Sequence, residues 1–308
     1  MAVPHTSGSF ADLVDKRVTK IFYESYDELP DAVSTIYGME KSSDQYERWS
    51  GVGALGDLSQ FTGSVSYQSQ SQGYDTTATH LEFAGGVQIE RALYDDDRHG
   101  IWEQKPRQLA RAASRTRQKH AARLFNNAFS VDTMFYNNSE GVALCSNSHT
   151  TTSGASTGSG FDNLTTSSLS AVALIAARIQ MVQFRDDQAN RIAVMPDELW
   201  IPVDLFDVAY EIVESSGKPD VATNNANVMK AKFKIMPGVG GWNYMTDTNN
   251  WFITDSSMRK DYAKWFDRVP LEFTFAEEID TLVAKWRAYN RYSNAWFDWR
   301  FILGAQVS

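Results

Sequence analysis

A chain of 308 residues that is 43% hydrophobic and 22% charged can bury a sizeable core, which excludes wholesale disorder. A formal net charge of -9 excludes a general nucleic-acid binder, whose footprint is a basic domain. The single cysteine, Cys145, excludes an intrachain disulfide and a Cys-only metal site and fits a reducing compartment.

Residues Met1 to Ser9 read as an arm. Phe10, Leu13, Val14, Val18, Ile21 and Phe22 then recur at helical spacing, which predicts an amphipathic helix ending near Ser25. Two β-like runs follow, Phe61–Gln70 and Ala78–Arg91, each alternating apolar with polar or small residues around a polar turn, SQSQGYDTT. Together they predict a long hairpin whose outer half has too few aliphatics for a core of its own. It should project and be covered by something else. Gly85 and Gly86 suggest a bulge or bend in its second strand. Asp95, Asp96, Asp97 and His99 read as a solvated turn, because consecutive residues do not converge on one ion.

Gln104 to Phe129, QKPRQLARAASRTRQKHAARLFNNAF, holds no glycine, and its one proline suits a helix's first turn. A helix of about seven turns is expected, with Leu109, Ala113, Ala121, Phe125 and Phe129 on one stripe. Arg107, Arg111, Arg115, Lys119 and Arg123 recur every four residues, so this basic row winds slowly around the rod. The row is either a solvated face or the contact of a spine with neighbouring subunits or nucleic acid.

SNSHTTTSGASTGSG, residues 146–160, reads as a low-complexity surface loop. It contains a formal G-x-S-x-G match around Ser156, but neither a strand nor a helix flanks it, so a strained nucleophile is not expected. Cys145 and His149 are four apart on this loop and do not make a metal site. Leu169–Phe184 and Leu205–Ser215 then read as helices. Arg191–Met195, Leu199–Val203, Phe233–Met236, Trp242–Met245 and Trp251–Thr254 read as short strands around them. The glycines at 238, 240 and 241 are followed by neither a lysine nor a helix, so a turn replaces a phosphate loop. Leu271–Phe275, Leu282–Tyr292 and Ala295–Ile302 alternate like a closing antiparallel sheet, with Asp267 and Arg268 before Pro270 as a turn. No eighteen-residue apolar run and no export signal are evident, which predicts a soluble chain.

This order resembles the Hong Kong 97-type major capsid proteins of tailed bacteriophages. The spine LARAASRTRQKHAARLFNNAF, followed by GVALCSNSH and a Ser/Gly loop, is similar to the family's peripheral-domain helix and its exit. FRDDQANRIAVMPDELWIPVDLFDVAYEIVES is similar to its axial-domain pattern of strand, proline, short strand and helix. WFITDSSMRKDYAKWFDRVPLEF and RYSNAWFDWRFILG resemble the late segments that complete the peripheral sheet, and the Mu-like head subunits are the branch most alike.

The resemblance implies an α+β fold: N-terminal arm and helix over 1–45, extended β-hairpin loop over 46–91, peripheral domain over 92–160 and 266–308 with its spine at 104–129, and axial α/β domain over 161–265. It implies a structural protein with no catalytic, cofactor or metal site, which assembles with itself as hexamers and pentamers into an icosahedral shell around a phage double-stranded DNA genome. Phe61, Val65, Tyr67 and Tyr74 would be extended-loop contacts, and Arg107, Arg111, Arg115, Lys119 and Arg123 an intersubunit or DNA-facing row. Scaffolding, portal and decoration proteins would be partners, the DNA would be enclosed without sequence-specific binding, and no membrane would be involved. The expected location is the virion, after the host cytoplasm. Tyr46–Gly85 contains no lysine, so the covalent lysine crosslink of some members is not expected. Few residues precede Phe10, which implies scaffolding that is separate or already removed. A bacterial cargo nanocompartment would share the fold, and a hydrolase using Ser156 is the enzyme alternative.

Overall fold

The structure, a computed structural model, describes residues 11–90, 101–217, 226–238, 240–278 and 283–307, with the side chains of 11–16, 101–103 and 277 excepted. The expected arm over 1–9 and the acidic turn with His99 lie outside these residues. Helices and three sheets mix along the chain. The fold is the expected α+β architecture.

A five-stranded sheet has the order β6 (Leu164–Thr165), β12 (Ile302–Ala305), β9 (Trp251–Thr254), β7 (Glu198–Trp200), β8 (Lys234–Met236). Strands β7, β9 and β12 are buried at every position, which is why they read as continuous apolar runs rather than alternations. Helices α4 (Ala171–Val182) and α5 (Phe206–Glu214) accompany this sheet. Ser170 starts α4 by accepting the Ala173 N–H. Here three expectations fail. Arg191–Met195 is no strand, since a lone bridge from Arg191 to Arg185 is its only ladder contact among the described residues. Trp242–Met245 is irregular, entered through Gly240 and Gly241 at φ of 103° and 71°. The expected strand Ala295–Ile302 is broken by a 3-10 turn at Trp299–Phe301, after which the chain crosses into the five-stranded sheet as β12.

A four-stranded sheet has the order β1 (Gly38–Lys41), β10 (Ala263–Glu278), β11 (Val283–Trp296), β4 (Leu81–Glu90). The expected turn at Asp267–Pro270 is instead a pair of register shifts inside β10, where a residue without an N–H costs no ladder bond. The expected bulge at Gly85–Gly86 is absent, for the register with β11 runs unbroken across both. Close packing explains them: a Cβ on Gly86 would stand 2.9 Å from the Trp286 carbonyl, and one on Gly85 would touch Leu109 of the spine.

That spine, α3, runs Ile101–Asn126, so Pro106 falls inside it rather than in its first turn. Leu109, Ala121 and Phe125 of the expected stripe are buried, and Phe125 stacks on Trp200 at 4.9 Å, joining the spine to the five-stranded sheet. Helix α1 (Ala11–Asp27) packs on the spine and on β10 through Val18 and Phe22, the latter stacked 4.3 Å from Phe273. A short helix, α2 (Val33–Ile36), follows and is also buried.

The third sheet, β2 (Tyr46–Val52), β3 (Gln72–Thr79) and β5 (Tyr136–Asn138), carries the extended loop. The hairpin exists with other strands than expected: β2 pairs β3, the expected turn at 69–77 is strand from Gln72 on, and Phe61–Gln70 is not strand. β4 pairs with β11 rather than with the hairpin. Helix α6 (Ser256–Tyr262), capped by the Asp255 carboxylate, leads from β9 into β10.

Candidate functional site

Among the described residues, the hairpin tip, residues 53–71, is tied to the body at its base. Ala54 donates its N–H to Asp187 at 2.7 Å, Thr152 donates to the Gln72 carbonyl at 3.0 Å, and Gln68 bridges back to Gly56 and Asp57. Beyond that, residues 57–72 are all exposed. Among them Leu58 is 95%, Tyr67 94%, Phe61 70% and Val65 63% exposed. Rings and aliphatics along one projecting segment form an apolar surface that the described residues of its own subunit do not cover, as contact surfaces do. Tyr74, the fourth expected loop contact, sits elsewhere: its hydroxyl lies 2.6 Å from Thr150 Oγ1, tying β3 to the body.

The basic row divides in the same way. Arg107, Arg111, Arg115 and Lys119 are exposed and make no ion pair among the described residues. Arg123 is spent within the subunit on Asp132, at 2.6 and 3.0 Å. Arg117, left out of the row by its spacing, makes a two-pronged pair with Asp267 at 2.9 Å and stacks 4.9 Å over Trp265. Four cations therefore face outward from a chain of net charge -9, with partners still to be supplied.

A family model of phage capsid protein matches residues 73–305, well over half of the chain. The chain belongs to this phage capsid protein family. Solved structures share the fold at low sequence identity. The capsid of a native GTA particle superposes with a TM-score of 0.57 at 12% identity over 91% of each chain. The capsid of cyanophage P-SCSP1u gives 0.55 at 12% identity, over 89% of this chain and 87% of that one. Microbacterium phage Oxtober96 gives 0.54 at 12% identity, over 91% and 93%. No curated protein sequence matches. The chain is thus a major capsid protein with the Hong Kong 97-type fold, a structural subunit that assembles with copies of itself into capsomers and an icosahedral phage shell, and its place is the virion.

A structural rather than enzymatic role also accounts for the buried polar groups of this capsid protein. Ser156 is exposed on its loop. The nearby sequence's one histidine, His149, is occupied: buried, stacked 4.3 Å from Trp299, with Nδ1 3.1 Å from Glu140 and Nε2 3.3 Å from the Leu144 carbonyl. It fastens a loop and has no free nitrogen to activate a serine. Burial pushes the Cys145 thiol well above its usual range, so it stays protonated and packs as an apolar group.

One buried polar cluster is not legible in the sequence, because its members, Thr35, Glu198, Thr254 and Arg259, are remote from one another. Arg259, 1% exposed, grips Glu198 at 2.8 Å through both Nε and Nη2. Its Nη1 donates to the Thr35 carbonyl at 2.7 Å and to that of Ile36. Thr254 and Trp200 complete the cage around Glu198. A buried charge pair is stable only when every lone pair and proton is met in this way. Here it rivets the segment before β1 to the five-stranded sheet.

Proposed function

We propose that the shell encloses a phage double-stranded DNA genome and is built of hexamers and pentamers in which residues 53–71 of each subunit lie over a neighbour. The observation that carries this reading is the exposed run Leu58, Phe61, Val65 and Tyr67, which no described residue of the chain covers. Many modest contacts, each repeated around a closed surface, add up to a persistent particle. This reading keeps the division into arm, extended loop, peripheral and axial domains at the expected boundaries, except that β4 joins β11 in the four-stranded sheet and residues 302–305 join the five-stranded sheet. A Mu-like head subunit, with scaffolding, portal and decoration proteins as partners and the host cytoplasm as the place of assembly, is the finer reading. Without a lysine between Tyr46 and Gly85, subunits stay non-covalent, and boiled denaturing gels should show no ladder of multimers.

Electron microscopy of the expressed chain tests the shell: closed particles are expected. A solitary molecule with residues 53–71 folded onto its own body would overturn the reading. Nuclease-protected DNA in particles from infected cells supports a genome, whereas protein cargo supports a nanocompartment. The exposed cations Arg111 and Arg115 would meet acidic patches of neighbours or the enclosed DNA. Replacing both with Glu should lower the yield of filled particles at least ten-fold, and an unchanged yield would remove the row from the mechanism.

A further inference from the structure

The five-stranded sheet ends in two edges, β6 and β8, and a helix stands beside each. Helix α4 packs on β12 and is tied to the β6 edge through Gln180, whose amide donates to the carbonyls of Asp162 at 2.9 Å and Leu164 at 3.4 Å. Helix α5 packs on β8, at the other edge.

Each helix turns one face to the sheet and leaves the opposite face uncovered among the described residues. On α4, Ala171, Leu174, Ala177 and Met181 are buried, while Val172, Ile179 and Val182 are exposed, Val172 to 77%. A helix apolar on both faces is one that is packed on both. The only charged residue of α4 is Arg178, which is half-buried and makes no ion pair among the described residues. On α5, Ala209, Ile212 and Val213 are buried. Asp207, Tyr210, Glu211 and Glu214 are three and four residues apart, so they share the outer face, and all four are exposed. None of these three carboxylates is in an ion pair among the described residues, and Lys230 donates to the Glu214 main-chain carbonyl, at 2.8 Å.

We propose that the outer face of α4 docks on the outer face of α5 in a second copy of the chain, the aliphatic stripe against the neighbour's Tyr210 and Arg178 among the neighbour's Asp207, Glu211 and Glu214. Two features select a second copy as the occupant. The faces are complementary in charge, one with a single cation and the other with three anions, whereas α5 against α5 would set three carboxylates against three. The faces also stand at opposite edges of one sheet, so each copy offers α4 to one neighbour and α5 to the next. A head-to-tail contact of this kind repeats until the rotation closes it into a ring. The proposal rests on the shell of capsomers and names a contact within them that residues 53–71 do not supply.

A density map of assembled particles tests it. The expected result is α4 of each subunit against α5 of the next around a capsomer, with Arg178 within about 4 Å of a neighbouring carboxylate. Closed particles in which the outer face of α4 meets solvent, or any element other than α5, overturn the inference and leave the shell standing. Failure of the wild-type chain to close any particle would instead remove the shell, and this contact with it. Val172→Asp sets a carboxylate on the stripe at a position already open to water. It should lower the yield of closed particles at least ten-fold, with the urea midpoint of the unassembled subunit unchanged, and wild-type yield from this variant also overturns the contact.

Discussion

Two polar loops of the subunit, residues 53–71 and 146–160, behave in opposite ways. The first holds the rings and aliphatics, Leu55, Leu58, Phe61, Val65 and Tyr67, and exposes all of them. The second is almost wholly Ser, Thr, Gly and Asn, yet it is drawn onto the body. Cys145, His149 and Phe161 are buried at its ends and within it, and Thr151 and Ser153 both donate to the Asp187 carbonyl. Composition therefore does not tell a packed loop from a free one. A stacked and hydrogen-bonded ring and two hydroxyl bonds tie down a loop of small residues, whereas five apolar side chains stay exposed among the described residues.

The largest test of this contrast is His149→Ala, which removes the stack on Trp299 and leaves the Glu140 carboxylate with Thr150 alone. The unassembled subunit should lose about 3 kcal/mol, read by urea denaturation. A loss under about 0.5 kcal/mol would mean that the loop is held by its backbone alone. Next come two glycines. Gly160, at φ 81°, would bring a Cβ within 2.7 Å of the Gln183 carbonyl, so Gly160→Ala should cost about 2 kcal/mol. Gly63, at φ 110°, has nothing near it, so Gly63→Ala should cost about 1 kcal/mol or less. Equal costs would erase the distinction between the loops. The smallest effect on the subunit is expected from Leu58, Phe61 and Tyr67 all changed to Ser, which should move its stability by less than about 0.5 kcal/mol. The same variant should assemble at least ten-fold less. Normal assembly would show that these side chains serve no contact.

Long periodic segments were legible before the structure: the spine, α1, α4, α5 and the buried strand Trp251–Thr254. Each carries its signal locally, in helical spacing or an apolar run. The hairpin was legible as a projection but not in its strands. Val65 and Tyr67 alternate with Ser and Gln as strand residues do, yet no strand among the described residues pairs with them. Gln72–Thr79, polar and rich in threonine, pairs on both sides because it is the centre of a small sheet. Asp267–Pro270 looked like a turn because Pro usually ends a strand; a register shift absorbs it, and Arg117, remote in sequence, fixes Asp267. The basic row was found by spacing. That Arg123 belongs to Asp132 depends on a neighbour that spacing does not reveal.

Strand β12 lies between β6 and β9, and β1 runs parallel to β10. Residues 164 and 304, like 38 and 264, become neighbours only after a long stretch between them has been ordered. Chains dominated by such distant pairings fold slowly, because loop-closure entropy is lost before the contacts form. During that interval the apolar side chains at 58, 61, 65 and 67 are already accessible, and on the proposed reading the neighbouring surfaces that would cover them have not yet formed. Synthesis rate and subunit concentration therefore decide between productive closure and clumping, and cooler, slower expression should raise the fraction of chains that reach the particle.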